Sequence, residues 1–318
     1  MGNLKRLNSF FGTLLVQGLT FSLGVGLVFG TAFGTASSAF AGGMFYKTHF
    51  TTSAKKPVHN LTDSKLLYYG GPVISNVKVY AVYWGASVDA GLQKNIGGFY
   101  KAVSNSTHMD WLTEYNTGIN AVDGRKGTAQ TIGRGTYGGD YLITPAVTKT
   151  DLNDTDIQAE LVNQITNKVL PAPDENSLYM IYFPAGVSIT IENQTSCSTF
   201  CAYHNGFASS KFGSVFYGVI PDLQSGGCNF GCALAGDSFQ ANTIISSHEF
   251  FEAVSDPFPT PGNQPAYPQA WNTSDGQEIG DLCASSSGQL TTASDTFMIQ
   301  GEWDNASNSC VTGPYQTK

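Results

Sequence analysis

Apolar positions along this chain fall into two rhythms. VKVYAVYW over Val77–Trp84, SLYMIYFPA over Ser177–Ala185 and SVFYGVIPD over Ser214–Asp222 are nearly continuous apolar runs, the pattern of strands buried on both faces. Between them Ile157, Leu161, Ile165 and Val169 recur every four residues behind Asp151 and Asp154, which predicts an amphipathic helix over Thr150–Leu170 with acidic residues at its positive end. Shorter helices are expected from Gly91, weakened by Gly97 and Gly98, and from Met109. A further helix runs from Phe239 to about Ser255, with Ser238 or Asp237 as its N-cap. Pro257, Pro259, Pro261, Pro265 and Pro268 forbid regular structure after it. Short strands and turns are expected in the glycine- and threonine-rich region Gly118–Thr148, and TSCSTFCAYHNGF is expected as a loop that brings two cysteines and His204 together. Strand and helix alternate, so the expected class is α/β (α+β): a mixed sheet with a loop-rich, disulfide-stapled C-terminal half.

The first residues change the picture of where this domain works. Lys5 and Arg6 precede a long apolar, glycine-rich run that ends in Ala39-Phe40-Ala41, the order of a secretory signal peptide over residues 1–41. Residues 42–66, polar and aperiodic, read as an exposed lead-in to a single domain over 67–318. The expected mature chain is exported and free of the membrane once the signal is cleaved. A formal charge of -8 without basic runs argues against nucleic acid as partner. All six cysteines lie between Cys197 and Cys310, and an even count in an exported chain argues for disulfides. Cys197 and Cys201, like Cys228 and Cys232, could bridge locally or cross-link two loops; Cys283 with Cys310 is the pair left over.

The chemistry concentrates in HEFFE, His248 to Glu252. Residues four apart stack on one helix face, so His248 and Glu252 can both reach one ion, and Glu249, about 100° round, can address a bound water. HExxH supplies those parts in zinc hydrolases: ligands at positions one and five, base at position two. The carboxylate in the fifth position donates more negative charge than imidazole, so manganese or calcium become conceivable beside zinc, the first choice. A third ligand is expected from DGQEIGDLC: Glu278 first, with Asp281 orienting His248 or replacing Glu278. His204 is the next candidate, as a ligand or as a cation over a developing oxyanion. The bland alternative is a solvated acidic face, against which stands the apolar remainder of the helix: Ile244, Ile245, Phe250, Phe251 and Val254. Two of Glu249, Glu278 and Glu302 could also form a glycosidase pair.

Several pieces together resemble the phosphate-induced, EXORDIUM-like extracellular proteins: YYGGPVISNVKVYAVYWG, CAYHNGF, GGCNFGC, and HEFFEAVSDP followed by AWNTSDGQEIGDLC. The resemblance spans about residues 65 to 285. It implies secretion and an association with cell walls or growth responses, and it groups His204, His248, Glu249, Glu252, Glu278 and Asp281 as one set. The chain departs from the family pattern in its longer proline loop, GNQPAYPQ, and in its C-terminal tail. The expected function is a secreted zinc peptidase with a zincin-like active-site helix, acting on an extracellular protein, peptide or cell-wall substrate. In it His248, Glu252 and Glu278 hold zinc, Glu249 takes the proton of the bound water and His204 assists the tetrahedral intermediate. The competing expectation is a non-catalytic cell-wall protein in which the same residues hold a structural ion or form a polar network.

Overall fold

The computed structural model describes residues 64–230, 232, 238–259 and 265–317, with the backbone of Met44–Tyr46. The leader expected over residues 1–41 and the N-cap candidate Asp237 lie outside the described residues. Six strands form the main sheet: Met44–Tyr46 (β1), Lys78–Trp84 (β2), Thr136–Ile143 (β3), Ser177–Tyr182 (β4), Phe200–Ser209 (β5) and Gly213–Ile220 (β6). Their spatial order is β1-β5-β6-β4-β2-β3. Strands β6, β4, β2 and β3 pair in parallel, whereas β5 is antiparallel to both β6 and β1.

The continuous apolar runs become strands because both faces of this sheet are covered. Val79, Ala81 and Tyr83 belong to one buried cluster, and the alternate residues Tyr80, Val82 and Trp84 to the other. The first cluster is shared with the helices Ala90–Ser104 (α1) and Ser238–Ser255 (α3), through Ile96, Phe99, Ile245 and Phe250. The second is shared with Asp154–Thr166 (α2), through Ile157, Leu161 and Ile165. Local chemistry sets the helix ends. Asp89 accepts from Leu92 N at 2.7 Å to start α1, and Asn153 with Asp156 forms a capping box at α2.

Several expectations need correction. The helix predicted over Thr150–Leu170 is shorter, because Asp151–Asn153 pairs as a strand with Ser188–Ile191. Lys168, at φ 60°, lies in the left-handed region just beyond its end, leaving Val169 exposed rather than on the buried stripe. Ser238 is the first helical residue of α3 and not its N-cap. The helix expected from Met109 is a single turn, Thr107–Trp111, followed by a 3₁₀ turn, Leu112–Tyr115. The stretch expected as a loop around His204 is mostly strand: β5 begins at Phe200 and His204 pairs with Gly218 of β6. Its polar and small residues hid a strand that the neighbouring backbones complete. Met44–Tyr46, within the stretch read as a lead-in, pairs with β5.

The C-terminal part adds two antiparallel pairs: Ser287–Thr291 (β7) with Thr296–Gln300 (β8), and Glu302–Asp304 (β9) with Ser309–Val311 (β10). Strand β8 packs along α3. Disulfides Cys197–Cys228 and Cys201–Cys232 cross-link the approach to β5 with the loop after β6. Cys283–Cys310 ties the 3₁₀ turn Asp281–Cys283 to β10. Loops of 31, 31 and 27 residues are closed in this way, each worth about 3–4 kcal/mol by restriction of the unfolded chain. Disulfides of this kind belong to an oxidising compartment. Among the described residues no helix is long and apolar enough to cross a membrane.

Candidate metal centre

Helix α3 is not a solvated acidic face: every residue from Ala241 to Ser255 is buried. It lies across the sheet face to which His204 of β5 points, and the loop after it returns Glu278 and Asp281 to the same place. His248, Glu249, Glu252 and Glu278 are 0% exposed and His204 2%, so their charges have no water to solvate them. Asp281 is partly exposed.

The distances define two overlapping groups. His204 Nδ1 is 3.4 Å from Glu249 Oε2 and 3.6 Å from Glu252 Oε2. His248 Nε2 is 3.2 Å from that same Glu252 oxygen. His204, Glu249 and Glu252 present ligand atoms within 4.8 Å of one another, and so do His248, Glu252 and Asp281. Two ligands held at 2.0–2.1 Å on a tetrahedral ion stand about 3.3 Å apart, and the observed separations match that edge. Glu278 joins from the other side of the His204 ring, with Oε1 3.5 Å from Nε2. Neither Glu278 oxygen nor Glu252 Oε2 has a hydrogen-bond partner among the described residues. A buried carboxylate in that state asks for a proton or a cation. A buried His/Glu/Glu group that could hold a metal ion is therefore present.

Electrostatics reports the same demand for positive charge. Burial pushes Glu252 and Glu278 well above the usual carboxylate range, with neighbouring carboxylates adding to the effect at Glu278. Burial holds His204 down to about 3 and His248 down to about 4, so both imidazoles are neutral. Glu302 of β9, also fully buried, is raised by burial and by Glu252 and Asp281. Neutral imidazoles do not balance the acids, so the buried carboxylates need a proton or a cation.

Three supporting groups gave no sequence signal of their own. Asp256, at the end of α3, accepts from His204 Nε2 through its backbone oxygen at 3.0 Å. Its side chain accepts from Ala270 N at 2.8 Å and from Asn272 Nδ2, which brings the proline loop back onto the helix. Gln300, closing β8, donates through Nε2 to Gly280 O at 2.8 Å and sits 2.9 Å from His248 Nδ1. Gly280 passes so close to the centre that a Cβ there would lie 2.5 Å from His248 Nδ1 and 2.9 Å from Glu252 Oε1. Asp281 N donates to Glu252 Oε1 at 3.1 Å, and Glu278 N to Asp281 Oδ2 at 3.0 Å. Of the residues singled out in the sequence, all six of the set converge here.

Fold and site together define a disulfide-bonded α/β protein with a buried histidine–carboxylate centre able to take a metal ion. No family model, curated protein or solved structure matches the chain.

Proposed function

We propose that this chain is a secreted metal-dependent hydrolase, a zinc peptidase whose HExxE helix carries the metal centre in a zincin-like manner. The observation that supports it is the convergence of Glu252 Oε2 with two imidazole nitrogens and further carboxylates at the spacing of shared ligands. A bound divalent ion supplies an acidified water and polarises a carbonyl. The chain's own groups supply the rest. Whichever of Glu249 and Glu278 does not hold the ion accepts the water's proton, and burial, with neighbouring carboxylates, raises Glu278 well above the usual carboxylate range. The EXORDIUM-like motifs support an extracellular protein, peptide or cell-wall substrate, and the disulfides accord with secretion.

One observation favours a second reading, a structural ion in a cell-wall protein. The imidazoles and glutamates are sealed from solvent, and structural sites are closed whereas catalytic ones keep an open position. One experiment separates the two. The oxidised, secreted protein is assayed for metal by inductively coupled plasma mass spectrometry and for cleavage of a quenched-fluorescent peptide library, before and after chelation and zinc return. About one ion per chain, with cleavage lost on chelation and restored by zinc, supports the peptidase. Metal without cleavage, where chelation lowers only the melting temperature, supports the structural ion. No metal after zinc reconstitution sinks both.

A further inference from the structure

A centre sealed from solvent acts on a substrate only through a way in, and the ladder between β5 and β6 leads to one. His204 pairs with Gly218, Gly206 with Phe216 and Ala208 with Ser214. Residues two apart share one face of a strand, so these rungs follow one another about 7 Å apart on the side that His204 turns to α3. The first rung belongs to the centre: a Cβ on Gly218 would lie 3.9 Å from Glu249 Cβ. At the third rung Ser214 is exposed, and a cavity of about 340 Å³ opens there, walled by Pro72, Val73, Phe216 and Phe258.

The middle rung separates this cavity from the centre. Asp256 O lies 3.0 Å from His204 Nε2, and the chain then passes along the ladder to Gly206. A Cβ on Gly206 would collide with Pro257 O and stand 2.9 Å from Phe216 Cδ1 and 3.0 Å from Phe258 Cδ1, so both rings rest on bare backbone. They meet edge to face, with centroids 5.0 Å apart. Phe216 is 4% exposed and fixed in β6, whereas Phe258 is partly exposed at the head of the proline loop. Phe258 is therefore the movable half of the partition.

The lining fixes what the cavity takes. Gln130 borders it, but its amide is engaged by Val73: Oε1 accepts from Val73 N at 3.2 Å and Nε2 donates to Val73 O at 2.5 Å. Glu175, the charged residue of the lining, is exposed at the mouth, where it repels an acidic side chain. The volume is at the low end of the range of about 300–1,000 Å³ for ligand pockets, room for a side chain and not for a folded partner. We propose that this cavity is the substrate subsite of the centre: a large apolar or aromatic side chain of a peptide enters it, displaces the Phe258 ring and carries the adjoining peptide bond toward His204. The proposal rests on the metal-peptidase reading above and adds to it a substrate class and the residue that controls entry. Closure of the centre then depends on one ring, and not on a fourth protein ligand as in a structural site.

The full secreted chain, zinc-loaded, tests it beside Phe258→Ala and Ser214→Trp, with two readouts. The first is the rate at which dipicolinate removes zinc. Phe258→Ala gives up zinc about 2- to 10-fold faster, the equivalent of one lost edge-to-face ring contact, while its zinc content stays at the native level. Ser214→Trp, a change at an exposed position that narrows the mouth, slows removal. The second readout is cleavage of quenched-fluorescent peptides that differ at one position. Native protein prefers phenylalanine or leucine there over alanine by about 10- to 200-fold in kcat/KM and rejects aspartate; Ser214→Trp loses that preferred cleavage at unchanged zinc content. An unchanged removal rate in Phe258→Ala overturns the route, and native cleavage by Ser214→Trp overturns the subsite. Should Phe258→Ala fail to fold, Ser214→Trp decides both points. A native chain that takes no zinc refutes instead the metal reading beneath the proposal, and zinc-loaded native protein that cleaves no peptide refutes the peptidase reading while the removal rates still judge the route.

Discussion

Gly280→Ala probes the contact between the return loop and α3 with a single methyl group. Gly280 has φ -82° and ψ -36°, a conformation alanine adopts freely, so the change carries no backbone strain. Its cost is steric. The new Cβ would lie 2.5 Å from His248 Nδ1 and 2.9 Å from Glu252 Oε1, where ordinary contact begins at 3.4 Å. Neither neighbour can retreat easily, since Gln300 Nε2 bridges His248 and Gly280 O and Asp281 N holds Glu252 Oε1. Overpacking of this kind costs about 1–3 kcal/mol, against about 0.4–1 kcal/mol recovered from the stiffer unfolded chain. The net loss, up to about 2.6 kcal/mol, lowers the melting temperature of a domain this size by up to about 10 °C. It also weakens zinc, because Glu252 is displaced from its place between the imidazoles. Calorimetry with and without zinc, beside a zinc titration, measures both effects. An alanine variant with unchanged melting temperature and zinc affinity would show that the Glu278–Asp281 loop does not press on α3, and would falsify the assembly of the centre described here.

Two further outcomes are expected. In the metal-free protein Glu252, Glu278 and Glu302 are raised well above 4.5 and Asp256 to about 7, chiefly by burial. The fold therefore keeps protons that the unfolded chain releases above about pH 4.5, and stability falls as pH rises toward 7. His204 and His248, lowered to about 3 and about 4, act oppositely below pH 6.5, but two imidazoles are outnumbered by four acids. Metal-free melting temperatures are thus higher at pH 5 than at pH 7.5, and zinc, which displaces these protons, binds more tightly as pH rises; the opposite trend in a fluorimetric scan refutes the assignment. Replacing Cys283 and Cys310 together by serine costs about 2–5 kcal/mol in denaturant unfolding. Because that bridge fastens the turn bearing Asp281, zinc affinity falls too; an unchanged affinity argues against Asp281 depending on it.

Much of this protein is legible in one dimension because it depends on period and composition. Runs such as Val79–Trp84 need no partner named to be recognised as strands, since a stretch apolar at every position must be covered on both faces. HEFFE places His248 and Glu252 on one helix face whatever surrounds it. The cysteine count announced bridges, but only the approach of the β5 segment to the loop after β6 decided that Cys197 pairs with Cys228 and Cys201 with Cys232.

Tertiary structure alone decided the centre's architecture. His204 sits in a segment whose polar and small residues look like loop, and it reaches α3 only because β6 and β1 complete a strand around it. Gln300 and Asp256 acquire roles from what faces them in space, contacts that bridge 52 residues of chain in each case. Spacing along a helix determines which side chains can meet one ion. Which carboxylate is left without a partner and which is sealed from water are properties of the neighbours, and those neighbours are brought together by the closing of the core.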